Sequence, residues 1–249
     1  MLNTKQPFVA PFRRTSKENE GDPIFIKFVL DGSGSMDSIK SDMVDSFNLD
    51  CIGALHAVNS QERPMLRVSG AVFSDDYNDL WYGYRTLSEL IAAPVRRDQL
   101  SGPGLGGETA LYSATLKAYG QLVQASTRSA GTLKKWAQAK LIIMTDGANN
   151  KAPYDEETVH KAITYTEAGV TTQKLLFYFK TRDGLDKLTF GRKAGKCGFD
   201  EVFFMDNHGT DARSLQHAIR VAMKLLSEWT LSRSTPNVQR VPNAELLRW

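Results

Sequence analysis

Cysteine is nearly missing from this chain: Cys51 and Cys197 are the only two, far apart and outside any CxxC spacing. That excludes a disulfide framework and a cysteine-rich zinc site, and it suits a reducing compartment. No apolar run approaches the roughly eighteen residues that a membrane-spanning helix needs. The first residues, MLNTKQPFVAPFRR, hold no continuous apolar stretch with a cleavage signal, so a secretory leader is not expected and the cytoplasm is the expected location. Neither sign of charge dominates. The 31 Lys and Arg against 28 Asp and Glu leave +3, too shallow a balance to point to a specific nucleic acid or a membrane surface. The four histidines, His56, His160, His208 and His217, fall at no metal-ligand spacing. With 41% hydrophobic and 24% charged residues, the composition also excludes collagen-like, low-complexity and wholly disordered chains.

What is present is an alternation of strand and helix signals in 249 residues, enough for one large α/β domain. Residues 1–22 carry Pro7, Pro11 and a polar stretch without period, and read as an extended lead-in. Residues 231–249 carry Pro236 and Pro242 and read as a tail, although Leu246, Leu247 and Trp249 give it apolar groups to dock. Between them, 23–230 reads as the domain. Ile24–Leu30 is a short, β-branched apolar run that suits a buried strand. Ile39, Met43, Phe47, Cys51, Leu55 and Val58 recur at helical steps. Leu66–Phe73 predicts a second strand and the stretch near Trp81 a third, joined as a hairpin across SDDYND. Further strands are expected at Leu141–Thr145, Leu175–Phe179 and Val202–Met205. Helices are expected after Thr109, near Glu156–Glu167, near Leu185–Ala194 and at Ala212–Trp229. Right-handed crossovers then give a doubly wound, mostly parallel sheet with helices on both faces. Ligands of such sheets bind beyond the carboxyl ends of the strands, where the winding reverses.

Three loops at that end carry oxygen-bearing side chains. After the first strand comes Asp31-Gly32-Ser33-Gly34-Ser35-Met36, in which alternate side chains of an extended turn point the same way. Asp31, Ser33 and Ser35 therefore converge, and the glycines let the backbone bend around the point they share. The second loop supplies Gly106-Gly107-Glu108-Thr109, with a hydroxyl at a helix start. The third supplies Asp146-Gly147 after the apolar strand LIIMT. A carboxylate accompanied by neutral hydroxyls is a hard-oxygen donor set, the kind that suits Mg²⁺. Each piece alone also reads as an ordinary turn or helix cap, since Ser, Thr and Asp favour both.

Taken together and in this order, Asp31-x-Ser33-x-Ser35, the Gly-x-Thr turn at Thr109 and the strand-ending Thr-Asp-Gly at Asp146 resemble the metal-ion-dependent adhesion site of von Willebrand factor A domains. The likeness spans roughly residues 23–230. The resemblance implies a doubly wound sheet with one antiparallel edge strand. It implies that Ser33, Ser35 and Thr109 bind Mg²⁺ through their hydroxyls, with Mn²⁺ and Ca²⁺ as alternatives, while Asp31 and Asp146 act largely through waters. It implies a non-enzymatic adaptor whose metal is completed by an Asp or Glu carboxylate of a protein partner. Without an export signal, the chain looks like intracellular bacterial or phage members of the family, which work beside MoxR-type AAA+ ATPases or in stress and defence systems.

Two other functions use similar loops. A metal-dependent phosphoryl-transfer enzyme or nucleotide binder is disfavoured because Glu108 stands where a P-loop has its phosphate-gripping Lys. Asp37 likewise spoils the dinucleotide-like Gly32-Ser33-Gly34 turn. A structural subunit whose metal fixes an assembly interface is the third expectation.

Overall fold

Apolar strands need both faces covered, and that requirement organises this molecule. The structure, a computed structural model, describes residues 23–59, 66–100, 107–133, 137–147, 151, 153–165, 167–180, 185–206, 216, 219–220, 222–224, 226–227 and 244–248. The lead-in 1–22, the glycines at 102–106, positions 148–150, His208, His217 and most of the tail lie outside the described residues.

Among the described residues seven strands form one sheet: β1 (Ile24–Asp31), β2 (Leu66–Phe73), β3 (Tyr77–Asp79), β4 (Ala137–Thr145), β5 (Val170–Lys180), β6 (Glu201–Asp206) and β7 (Ala244–Arg248). Their spatial order is β3-β2-β1-β4-β5-β6-β7. β1, β2, β4, β5 and β6 are parallel, and all eight residues of β1 are buried between β2 and β4. From β1 the chain steps one way to β2 and later the other way through β4, β5 and β6, so the winding reverses between β1 and β4. The helices are α1 (Lys40–Ser46), α2 (Gly53–Asn59), α3 (Leu87–Ala92), α4 (Leu111–Leu133), α5 (Glu156–Ile163) and α6 (Lys187–Lys196), with further helical residues at 216, 219–220, 222–224 and 226–227.

Side chains alternate across each strand and divide the core in two. Ile26, Phe28 and Leu30 face Met43, Phe47, Leu55, Ile219 and Leu226 on one side. Phe25 and Val29 face Leu111, Ala118 and Leu122 of α4 on the other, where Val159 and Phe190 bring in α5 and α6. This is the expected doubly wound, mostly parallel sheet, with an antiparallel edge at β3. β7 adds a second antiparallel edge, placing Leu246 opposite Phe203 and Leu247 opposite Val202.

Local departures from the expected elements have side-chain causes. The third strand is Tyr77–Asp79, directly after a turn at Ser74–Asp76, and the stretch near Trp81 contributes only one isolated bridge, Arg85 to Val68. Long-range anchors hold this short strand. The buried Lys27 ammonium donates to Ser69 Oγ at 2.9 Å and to Asp79 at 2.7 Å, while Gln121 of α4 accepts from the Tyr77 hydroxyl at 2.8 Å. The first helix is not continuous either. A π-helical turn at Phe47–Ile52 widens it between α1 and α2, and Asn48 there pairs with both the carbonyl and the N–H of Val95. α3 was not expected, although Thr86 and Glu89 form the reciprocal cap that announces a helix start.

Trp81 packs on the sheet through a slot at Gly70, where a Cβ would lie 2.2 Å from the indole ring. Gly70→Ala should therefore displace Trp81 and cost about 1–3 kcal/mol, as overpacked cores do. Urea denaturation should give a lower midpoint at unchanged m-value, and an unchanged midpoint would refute the packing argument.

Candidate metal centre

The end of β1 and the end of β4 lie side by side where the winding reverses. Asp31 closes β1 and is fully buried. Its Oδ1 accepts the Ser33 N–H at 2.8 Å, which curls the loop back on the strand. Its Oδ2 accepts the Thr145 hydroxyl at 2.5 Å, which joins the loop to β4. A tight turn at Gly34–Met36 then brings the Ser33 and Ser35 hydroxyl oxygens to 3.1 Å of each other. Ser35 donates to Asp146 Oδ1 at 2.7 Å across 111 residues of sequence. Asp31, Ser33, Ser35 and Asp146 thus form one hydrogen-bonded cluster.

Thr109 lies next to the residue that follows Asp146. A Cβ built at Gly147 would come within 3.0 Å of Thr109 Oγ1, so the hydroxyl borders the residue that follows Asp146. Its loop hangs on the end of β2. The Ser74 hydroxyl accepts the Gly107 N–H at 3.0 Å and donates to the Glu108 carbonyl at 3.1 Å, and the Ser74 carbonyl accepts the Ala110 N–H at 3.1 Å. Thr109 sits between those anchors, only 4% exposed. The spacing argument missed Thr145 and Ser74. Each is a hydroxyl residue ending an apolar strand, in Met144-Thr145-Asp146 and Phe73-Ser74-Asp75, and that position was the available signal.

Two carboxylates share this buried space. Burial raises the Asp31 carboxyl pKa, against the opposing hydrogen bonds from Ser33 and Thr145. Burial also pushes Asp146 up to about 6, with the Ser35 hydrogen bond opposing and the Asp31 charge adding. The Lys40 ammonium, bound to Asp37 at 2.6 Å, pulls both carboxyls downward. One oxygen of the pair remains unsatisfied: Asp146 Oδ2 is buried with no hydrogen-bond partner among the described residues. Leaving a buried acceptor without a donor costs about 1–3 kcal/mol. An oxygen-seeking cation would remove that cost, and the surrounding donors are all oxygens. Among the described residues no three His, Cys, Asp or Glu side chains cluster, so hydroxyls complete this set rather than further acids. The residues present fit Mg²⁺, which favours oxygen ligands and needs few carboxylates.

The fold and the cluster define a class: a doubly wound α/β domain with an oxygen-rich crevice at its switch point. Residues 26–217 match the von Willebrand factor type A domain, and the chain belongs to that family. Solved structures of similar fold include a von Willebrand factor type A protein from Catenulispora acidiphila, at 12% identity over 83% of this chain with a TM-score of 0.52. The PilB minor pilin from Streptococcus sanguinis matches at 14% identity over 87% with a TM-score of 0.53. The pilus adhesin SpaC from Lactobacillus rhamnosus GG matches at 13% over 84% with a TM-score of 0.56. The alignments span 43%, 64% and 30% of those three chains, less than two thirds of each. No match was found among curated proteins.

The raised carboxyl gives a pH dependence whose sign is fixed. Between its ordinary value of 3.8 and about 6, the folded protein keeps an Asp146 proton that the unfolded chain has released. Stability of the metal-free protein therefore falls as pH rises through that interval. Asp146→Asn keeps an acceptor for Ser35 but carries no charge. In EDTA at about pH 7 it should melt a few degrees above the parent protein. That advantage should shrink towards about pH 5. An advantage independent of pH would show that the carboxyl charge is not the cause.

Proposed function

We propose that this chain is a metal-dependent protein-interaction module. Asp31, Ser33, Ser35, Thr109 and Asp146 hold Mg²⁺, and a partner protein completes the site with an Asp or Glu carboxylate. The observation that carries this reading is the buried, unpartnered Asp146 Oδ2 at the centre of a hydroxyl-rich cluster. Ligation by neutral hydroxyls would leave Mg²⁺ electrophilic, so the ion would supply a position for an anionic oxygen from outside. The chain's own part is to fix the donors. Thr145 and the Ser33 N–H orient Asp31, Ser35 orients Asp146, and Ser74 sets the Thr109 loop.

A binding role is favoured over a catalytic one. Asp31 has both oxygens engaged by protein donors, which leaves it poorly placed as a general base. Two of the similar structures are named as a minor pilin and a pilus adhesin, and this agrees with an interaction module. No helix among the described residues is long and apolar enough to cross a membrane. For this chain we place the module in the cytoplasm of a bacterium or phage-infected cell. We propose as its partner an AAA+ ATPase of the MoxR type or another subunit of a stress or defence complex.

Calorimetry tests the metal. Asp31→Ala combined with Asp146→Ala should abolish Mg²⁺ and Mn²⁺ binding while the far-UV circular dichroism stays native, and unchanged affinity would overturn the assignment. Affinity purification in Mg²⁺ followed by EDTA elution tests the partner. Changing the responsible partner acid to its amide should abolish capture, whereas exchanging Asp and Glu should weaken it less. Thr109→Ala removes an oxygen without removing charge and should weaken partner binding more than metal binding. A complex that survives EDTA would place the contact elsewhere.

A further inference from the structure

The turn between β2 and β3 does more than reverse the chain. Asp75, its second residue, directs one carboxylate at two loops that the sequence keeps far apart. Its Oδ1 accepts the Glu108 N–H at 3.3 Å and pairs with the Lys151 ammonium at 2.9 Å. Glu108 immediately precedes Thr109, and Lys151 lies five residues beyond Asp146 in the sequence. The approach is close enough to dictate the neighbouring residue. A Cβ at Gly107 would fall 1.7 Å from Asp75 Oδ2, so any side chain there would have to push the carboxylate aside. Neither Asp75 nor Lys151 belongs to the five-residue oxygen set.

We propose that Asp75 is a positioning residue of the metal centre. In a clasp with Lys151 it ties the loop of Thr109 to a residue five positions beyond Asp146, and so restrains how the Thr109 hydroxyl stands relative to the Asp146 carboxylate. This rests on the reading that those residues bind a divalent ion. The clasp is not a stability device. Its side chains are 36% and 37% exposed, and half-exposed ion pairs contribute little to folding. What an ion pair of this kind sets is geometry, and groups that orient metal ligands typically change metal affinity by about tenfold or more when removed.

Mn²⁺ titration of the full chain, followed by electron paramagnetic resonance, tests the proposal alongside melting in EDTA. Asp75→Ala should weaken Mn²⁺ binding by about tenfold. Asp75→Asn, which keeps an acceptor for the Glu108 N–H, and Lys151→Met should each weaken it by a smaller, similar factor. Their double variant should be no weaker than either alone, because both break the same link. All should melt in EDTA close to the parent protein. A further arm separates positioning from general support: in a Thr109→Ala background, Asp75→Ala should have no additional effect on affinity. Affinity equal to the parent in Asp75→Ala, or fully additive losses with Thr109→Ala, would overturn the proposal. If Asp75→Ala does not fold, the two milder variants decide it by the same criterion. Should the parent chain itself fail to bind Mn²⁺, the metal reading falls and the clasp with it. Parent-like binding by every clasp variant removes the clasp alone.

Discussion

The hydrogen bond from the Thr145 hydroxyl to Asp31 closes the crevice between the two central strands, and the rest of the site takes its position from it. At a switch point, adjacent strands send their following segments to opposite faces of the sheet, so the backbones part there. Here β1 leads to α1 and β4 leads to α5, on different faces. Thr145 spans the parting and holds one oxygen of Asp31. With the other oxygen Asp31 turns Ser33 inward, Ser35 follows within one tight turn, and Ser35 reaches back to Asp146, the neighbour of Thr145. The contacts make a closed ring whose members come from both halves of the chain.

The ring satisfies nearly every polar group that it buries. Both oxygens of Asp31 have donors, and so has one oxygen of Asp146. The remaining oxygen is the exception, and the same burial that leaves it without a donor raises both carboxyls. Lys40 offsets part of this at a distance but is committed to Asp37. Polarity elsewhere in the core is resolved differently. Lys27 sits in the central strand and still finds Ser69 and Asp79, so its ammonium is neutralised within the fold. The Lys27 ammonium is answered by the protein, whereas Asp146 Oδ2 is left without a donor among the described residues.

How much of this was legible in the sequence depended on the range of the determining contact. β1, β2 and the core of β4 could be read because a strand covered on both faces must be an apolar run, whatever lies around it. The oxygen-bearing loops could be read for a related reason: polar side chains placed at the end of such a run have no core to enter. The hairpin to β3 could be read but its residues could not, because Tyr77–Asp79 has no strong pattern of its own and is held by Lys27 and Gln121 from elsewhere. The π-helical turn hid in an unbroken helical period, since its stabilising partner, Val95, lies 47 residues away. Thr145, Ser74 and Asp75 share that limitation. Their side chains look like ordinary strand-end and turn residues until the loops they hold are seen beside them.

The two antiparallel strands at the margins of the sheet have a consequence for how the molecule behaves among its own copies. A long parallel strand left at an edge presents a row of unpaired amide groups, which invites another chain to continue the sheet. β2 and β6 would be such edges. β3 covers the end of β2 with three residues, and β7 runs along β6 from Glu201 to Met205. Arg85 adds a backbone bridge to Val68 lower on β2. The marginal strands are thus short, three residues in β3 and five in β7. Residues 244–248 therefore occupy the hydrogen-bonding edge of β6 over Glu201–Met205, so no further strand can continue the sheet from that stretch.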